Sequence, residues 1–253
     1  MKVVSLAVDG LERAHAEGLL AWAFEQDADV ICLQDTRCSE YSLPSNDFFP
    51  DNYHAYFADN YDDPKVNGVA IYCKKMPKAI MFGLGFMDFD HLGIYIQADY
   101  DDCSIGSIMV PSAVGERGDK ELKMRYLNQL GAHLQKVRNK KGDCIVCGGC
   151  DIAWQPSDAE GSGNRRDIPG FSNEERDWLG SLYRMGYSDA FREVESDADE
   201  YTWWPDGDDG PGVRTDTHIV SDSLAPHVAN ASIEGDEAFS SHAPVIIDYD
   251  IVL

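Results

Sequence analysis

A chain of 253 residues with a formal charge of −24 is long enough for a substantial core and too acidic to attract nucleic acid over its whole surface. Its composition is that of a globular protein, not a disordered one, and no apolar run approaches the ~20 residues of a membrane span. The seven cysteines are dispersed, and the opening MKVVSLAVDGL is too short and too soon acidic for a signal peptide, so reduced thiols and a cytoplasmic location are expected.

Residues 2–8 alternate and read as a strand closing on the turn pair Asp9-Gly10. Residues 12–26, with Leu11 just ahead of them and Leu19, Leu20, Trp22 and Ala23 at helical spacing, predict a helix. Residues 29–33 form a buried strand running into Gln34-Asp35-Thr36, and this β-α-β opening marks a layered α/β domain. A loop is expected over 42–51, and strands over 68–73, 79–82, 93–100 and 104–110, with connections short enough for antiparallel pairing. Residues 121–141 predict a helix with Leu122, Tyr126, Leu130 and Leu134 inward and cations outward. Residues 144–147 are a short buried strand stopped by a Gly148-Gly149 turn, and the loop that follows is where a layered α/β fold carries chemistry.

Beyond it come a helix over 173–185, a short segment over 187–191, an acidic loop and the strand-like 201–204. Burial of at least one of Trp203 and Trp204 is favoured over base stacking. The last strands are expected over 214–220 and 243–251. With no repeat or linker, residues 1–253 read as one α/β domain of two packed sheets flanked by helices.

Four acid or histidine positions fall at strand ends: Asp9, Asp35, Asp216 and His242. Singly each has a plain structural reading: Asp9 as a turn residue, Asp35 as a helix cap, His242 as a structural histidine. In this order they resemble the exonuclease III / apurinic endonuclease branch of the endonuclease-exonuclease-phosphatase family. The resemblance runs through SLAVDGL (5–11), ADVICLQDT (28–36), NGVAIY (67–72), GGCDIAWQP (148–156), YTWW (201–204), RTD (214–216) and SHAPV (241–245). It implies a four-layer sandwich of two mixed β-sheets flanked by helices, the DNase I-like fold. It also implies a Mg²⁺ on an acid after the second strand, a G-D-x-N turn whose Asp activates water, and a Tyr, an Asn and a D-H pair around the phosphate.

Against that pattern the chain departs at most of the chemistry. The metal-binding acid is Asp35 in place of Glu, making Asp35 a weak metal ligand. The Asn position is Ala7, the Tyr position Met109, the water-activating position Gly149 and the following Asn Asp151. Ser241 replaces the Asp of the D-H pair, so His242 is expected to lack its carboxylate. Such groups act as a unit, and with the base gone little activity should survive. Asp151, two residues beyond Gly149, lies about 6.5 Å along an extended strand and so out of reach of the same water, unless the loop folds it back. The expectation is a vestigial cleft of Asp9, Asp35, Gly149, Asp151, Asp216, Ser241 and His242, with no catalytic residue and no cofactor.

These departures, with 18–37, GLGF (83–86) and 93–102, also resemble the catabolite repression control (Crc) family of gamma-proteobacteria. That resemblance implies a non-catalytic translational co-repressor acting with the RNA chaperone Hfq on A-rich mRNA leaders, contacting mRNA within the Hfq complex and binding it weakly alone. The cation cluster of Lys120, Lys123, Arg125, Lys136, Arg138, Lys140 and Lys141, with Arg165, Arg166 and Arg214, then supplies the contact candidates, although such runs are as often a solvated face. The alternative is an active Mg²⁺-dependent exodeoxyribonuclease III or apurinic-endonuclease-type phosphodiesterase with an altered site. The spacing Cys144-x2-Cys147-x2-Cys150 admits zinc or iron–sulfur ligation, but on a buried strand it points the first two thiols to opposite faces and reads as core.

Overall fold

The computed structural model describes residues 1–44, 46–115, 118–140, 142–164, 167–196, 199–207, 210–237 and 239–253. In chain order its elements are β1 (Lys2–Ala7), α1 (Leu11–Ala16), α2 (Leu19–Glu25), β2 (Val30–Gln34), β3 (His54–Ala58), β4 (Val69–Cys73), β5 (Ala79–Phe82), α3 (Met87–Asp90), β6 (Tyr95–Asp99), β7 (Cys103–Met109), α4 (Lys120–Asn139), β8 (Asp143–Gly149), α5 (Asn173–Arg184), β9 (Tyr187–Asp189), α6 (Ala190–Val194), β10 (Asp216–Ser221), β11 (Val228–Ile233) and β12 (Val245–Tyr249). They form two six-stranded sheets, ordered β11-β12-β1-β2-β4-β3 and β5-β6-β7-β8-β10-β9. Both are mixed: β1–β2 and β7–β8 are parallel, and the other pairs are antiparallel.

The central strands are buried on both faces, which is why they read as continuous apolar runs. Along β2, Val30 and Cys32 enter the core between the sheets, while Ile31 and Leu33 pack outward with Leu11, Leu19, Leu20 and Ala23 of α1 and α2. Along β8, Ile145 and Cys147 face the other sheet, while Cys144 and Val146 pack with Leu127, Leu130 and Leu134 of α4 and Leu179 and Leu182 of α5. The result is the expected helix–sheet–sheet–helix sandwich.

The helix expected over 12–26 is two, because Gly18 sits at φ 97, a left-handed conformation that breaks the spiral. Strands β3 and β11 escape the sequence pattern: both are sheet edges, and most of their side chains are exposed or partly so. Strand β8 runs through both glycines instead of stopping before them. Gly148 must be glycine, at φ 120 with Ile108 O 2.5 Å from where a Cβ would stand. Residues 201–204 form only isolated bridges, Trp203 pairing with Val213 and His242. Both Trp203 and Trp204 are half-buried, so neither enters the core, contrary to expectation.

Strands β1, β2, β7 and β8 end, and β4, β10 and β12 begin, at one end of the sandwich. Their loops gather Asp9, Asp35, Asn67, Met109, Asp151, Asp216 and His242 there.

Candidate active site

The parallel pair β1–β2 brings two acids together. Val8 N donates to Gln34 O at 2.8 Å and Gly10 N to Asp35 O at 2.9 Å, so the residues after the two strands run side by side. The second loop is held from its far side, Thr36 N donating to Gly68 O at 3.0 Å and Arg37 N to Asn67 O at 2.7 Å. Between the acids lies Arg37. Its Nε donates to Asp35 Oδ1 at 3.1 Å and its Nη2 to Asp35 Oδ2 at 2.5 Å, and the same Nη2 reaches Asp9 Oδ1 at 3.4 Å. The other oxygen of Asp9 accepts from Ser241 N at 2.9 Å and Ser241 Oγ at 2.7 Å. Burial would raise the Asp9 carboxyl, but these Ser241 bonds, with His242 and Arg37 nearby, outweigh it and hold Asp9 below its usual range.

The opposite wall is a histidine–carboxylate pair. His242 Nδ1 lies 2.8 Å from Asp216 Oδ2. The expectation that His242 lacks a carboxylate is therefore wrong: Ser241 turns to Asp9, and Asp216, which begins β10, takes the partner's place. A carboxylate only accepts, so Nδ1 carries the proton and Nε2 is the free nitrogen of the neutral ring. Burial disfavours the charged ring, but Asp216, Asp9 and Asp151 outweigh it and raise His242 above its ordinary value. Trp203 stacks on the imidazole, with centroids 5.7 Å apart and planes 13° from parallel. Asp216 Oδ2 also accepts from Thr202 Oγ1 at 2.7 Å and Thr215 Oγ1 at 3.2 Å. Its Oδ1 is buried without a partner and faces Gly149, 3.6 Å from where a Cβ there would stand.

After Gly149 the chain does not stay extended. Cys150 N donates back to Gly148 O at 3.0 Å and Asp151 takes φ 52, so the strand-length separation of Asp151 from the cleft does not apply. Asp151 lines the same cavity as Gly149 and His242. It is not free. Lys123, wholly buried on α4 and not on the outward cationic face, donates to Asp151 O at 2.6 Å, Asp151 Oδ2 at 2.8 Å and Glu175 Oε1 at 2.5 Å. Glu175 Oε2 in turn accepts from Ser172 N at 3.0 Å, closing the N-terminal capping box of α5. Burial raises the Asp151 carboxyl more than Lys123 lowers it.

Asp9, Gln34, Asp35, Gly149, Asp151, Trp203, Ser241 and His242 line a cavity of about 320 Å³. At Asp35, Met109 and Ser112 it adjoins a second of about 680 Å³, bordered by Arg37, Lys65, Asn67 and Leu92. Seven described non-glycine residues have positive φ, and five of them line these two cavities: Asp9, Asp35, Arg37, Asn67 and Asp151. Backbone strain of this kind, about 1–3 kcal/mol per residue, persists where the surroundings over-determine it, and it clusters at functional sites.

The nuclease alternative implies Mg²⁺, a hard cation taking oxygen ligands, commonly one or two carboxylates plus substrate phosphate. Asp9 and Asp35 fit that donor set, because both converge on a single positive charge, the Arg37 guanidinium. Among the described residues no three His, Cys, Asp or Glu side chains form a larger metal cage. The cysteines form none: Cys144 and Cys147 lie on opposite faces of β8, and burial pushes the Cys144 and Cys150 thiols up to about 12.

The cationic candidates are not brought to the cleft. Helix α4 starts beside it at Lys120 and runs away for 20 residues, about 30 Å, so Lys136, Arg138 and Lys140 stand exposed at the far end of the sandwich. Arg214 is 2% exposed, its Nε on Asp158 Oδ1 at 3.0 Å and its Nη2 on Asp189 Oδ2 at 2.7 Å, and it has no surface to offer a partner. Lys141, Arg165 and Arg166 lie outside the described residues. Sequence reasoning missed Arg37, two residues past Asp35, and the Lys123–Glu175 support of Asp151.

The two mixed sheets flanked by helices are the DNase I-like fold, and the cleft lies at their shared strand ends. Residues 8–242 match the Endonuclease/Exonuclease/phosphatase family, and the chain belongs to it. It is 31% identical over 255 residues to the DNA repair nuclease APEX1 of Danio rerio, covering 98% of this chain and 81% of that one. It is 30% identical over 252 residues to the exodeoxyribonuclease of Bacillus subtilis, covering 97% and 98%. An AP endonuclease structure from Archaeoglobus fulgidus superposes with a TM-score of 0.87 at 22% identity, covering 99% of this chain and all of that one. These relatives are named as nucleases. They overturn the expectation of a non-catalytic, Hfq-dependent translational co-repressor, which rested on the likeness to the Crc family and on reading the departures at Ala7, Met109, Gly149 and Ser241 together as loss of the whole site. The intact His242–Asp216 pair removes one of the four losses counted.

Proposed function

We propose that the chain is a divalent-cation-dependent phosphodiesterase of the exonuclease III / apurinic endonuclease kind, acting on DNA through an altered site. The observation that carries this is the His242–Asp216 pair, 2.8 Å apart, facing two converging carboxylates across a strained cleft. Mg²⁺ is the proposed cofactor, with Asp35 and Asp9 as the residues that would hold it; when bound it would neutralise charge on the phosphate. His242, oriented by Asp216 and biased toward its cationic form, donates from Nε2 to a non-bridging phosphoryl oxygen and stabilises the charge that gathers there as water attacks phosphorus and the P–O ester bond breaks. Trp203 fixes the plane of the ring. Gly149 offers no carboxylate to accept the water's proton and Asp151 is engaged by Lys123, so turnover is slowed by the worth of a general base, about 10²–10⁴-fold.

The seven cysteines, all free, suit a reducing compartment, and among the described residues no helix is long and apolar enough to cross a membrane; the cytoplasm is the proposed location.

The test is single-turnover incubation of excess protein with abasic-site and 3′-recessed duplex DNA, with and without Mg²⁺. Slow cleavage that needs the cation and falls at least 10²-fold in His242→Asn and Asp216→Asn is expected. Cleavage equal in the wild type and both variants would sink the reading.

A further inference from the structure

Arg37 is the feature the proposed mechanism leaves unused. It is an arginine, so it stays charged under all ordinary conditions. It binds Asp35 side-on through two nitrogens, at 3.1 and 2.5 Å, and reaches Asp9 at 3.4 Å with one of the same pair. Both oxygens of Asp35, and the one oxygen of Asp9 not held by Ser241, are thereby engaged. The backbone beneath it is fixed, at φ 52 with its N–H on Asn67 O, while the side chain is 45% exposed and borders the 680 Å³ cavity next to the site. The anchor is rigid, and the guanidinium has an open volume to swing into.

From this juxtaposition we infer that Arg37 is a tethered counter-cation that competes with the divalent cation for Asp9 and Asp35, and that a substrate phosphate relieves the competition by drawing the guanidinium off the carboxylates. This rests on the reading of the cleft as a divalent-cation phosphodiesterase site. A cation needs the same oxygens that Arg37 holds, so without substrate the cleft takes up metal weakly. A phosphodiester offers the guanidinium a bidentate partner equal in kind to Asp35. Once Arg37 has moved, the acids are open and the phosphate supplies a further oxygen ligand. Metal and phosphodiester therefore bind with positive coupling, and by linkage each strengthens the other to the same degree. Arg37 also limits the loss of metal-free stability, since two converging carboxylates without a cation repel.

The experiment titrates the free protein with Mn²⁺, followed by its electron paramagnetic resonance signal, with no substrate and no turnover. Arg37→Gln should bind Mn²⁺ about tenfold more tightly than the wild type, within the usual range of coupling between sites. Arg37→Lys, which keeps a tethered charge, should stay within a few-fold of the wild type, and Asp35→Asn should abolish the tight binding gained in Arg37→Gln. Addition of a short phosphorothioate oligonucleotide should tighten Mn²⁺ binding in the wild type and do so less in Arg37→Gln. Equal or weaker Mn²⁺ binding in Arg37→Gln, or tight binding that survives Asp35→Asn, overturns the inference. The outcome is separable from the nuclease reading: Mn²⁺ competition with no DNA cleavage would fail only the latter, and Mg²⁺-dependent cleavage with no competition only the former.

Discussion

On the proposed mechanism, Gly149→Asp should restore a general base and speed DNA cleavage. Position 149 is ordinary strand, paired with Asp216 on β10 and Met109 on β7, and its φ lies outside the left-handed region. A Cβ built there meets only Asp216 Oδ1, at 3.6 Å, an ordinary van der Waals contact. The backbone change is close to neutral, because restricting the unfolded chain stabilises by about 0.4–1 kcal/mol while Asp is a poor strand former. The larger cost is charge. At an effective dielectric of about 20, two carboxylates 4 Å apart repel by roughly 4 kcal/mol. That is an upper bound at this site, where Asp216 Oδ2 already accepts from Thr202, Thr215 and His242 and a bound cation would add its own compensation. The gain is a general base, about 10²–10⁴-fold in rate, or about 3–5 kcal/mol of barrier. Single-turnover cleavage of abasic duplex at fixed Mg²⁺ should rise about 10²-fold, with a new acidic limb in the pH–rate profile and a melting temperature within a few degrees of the wild type. A folded Gly149→Asp protein that binds Mn²⁺ normally and cleaves no faster would show that water is not activated at this position.

Two other changes probe the support of the site. Lys123→Met removes a buried cation and leaves the Asp151 and Glu175 carboxylates without the charge they share, a loss of about 3–5 kcal/mol that should lower the melting temperature by roughly 10 °C; an unchanged melting temperature would refute the description of this cluster as a clamp. His218 is wholly buried between Ser5 Oγ at 2.9 Å and Tyr249 Oη at 3.1 Å, and burial lowers its pKa to about 3. Its unfolded value is near 6.5, so the stability it contributes is complete above that pH and is lost as pH falls toward 3, at up to about 1.4 kcal/mol per pH unit. His218→Gln should flatten the fall of melting temperature between pH 6 and pH 4, and an identical slope in the variant would show that another group carries the acid sensitivity.

The two-sheet architecture was legible because β2, β4 and β8 are buried on both faces and announce themselves as unbroken apolar runs. Edge strands carry no such mark: β3 pairs only with β4 and β11 only with β12, so their half-exposed sequences HAYFA and VANASI look like loop. Lys123 was assigned to the solvent by its charge, although 123, 127, 130 and 134 step by four, three and four, the spacing of one helix face, and Leu127, Leu130 and Leu134 fill the rest of it. Periodicity is the better guide here, and a lysine on a buried stripe implies carboxylates to receive it, as Asp151 and Glu175 do.

The histidine's partner was not legible at all. Asp216 and His242 are separated by 26 residues, and the neighbour that the family pattern nominates, Ser241, binds a different acid. What joins the pair is the sandwich itself: β10 lies in one sheet and the loop before β12 approaches from the other, with Ala243 N on Thr202 O at 2.8 Å and Ser240 Oγ on Ala7 O at 2.6 Å fixing the approach. Reading site residues one at a time against a motif counted Ser241 as a loss. The fold shows the same residue holding Asp9 beside Asp35, where the two acids face the Arg37 guanidinium.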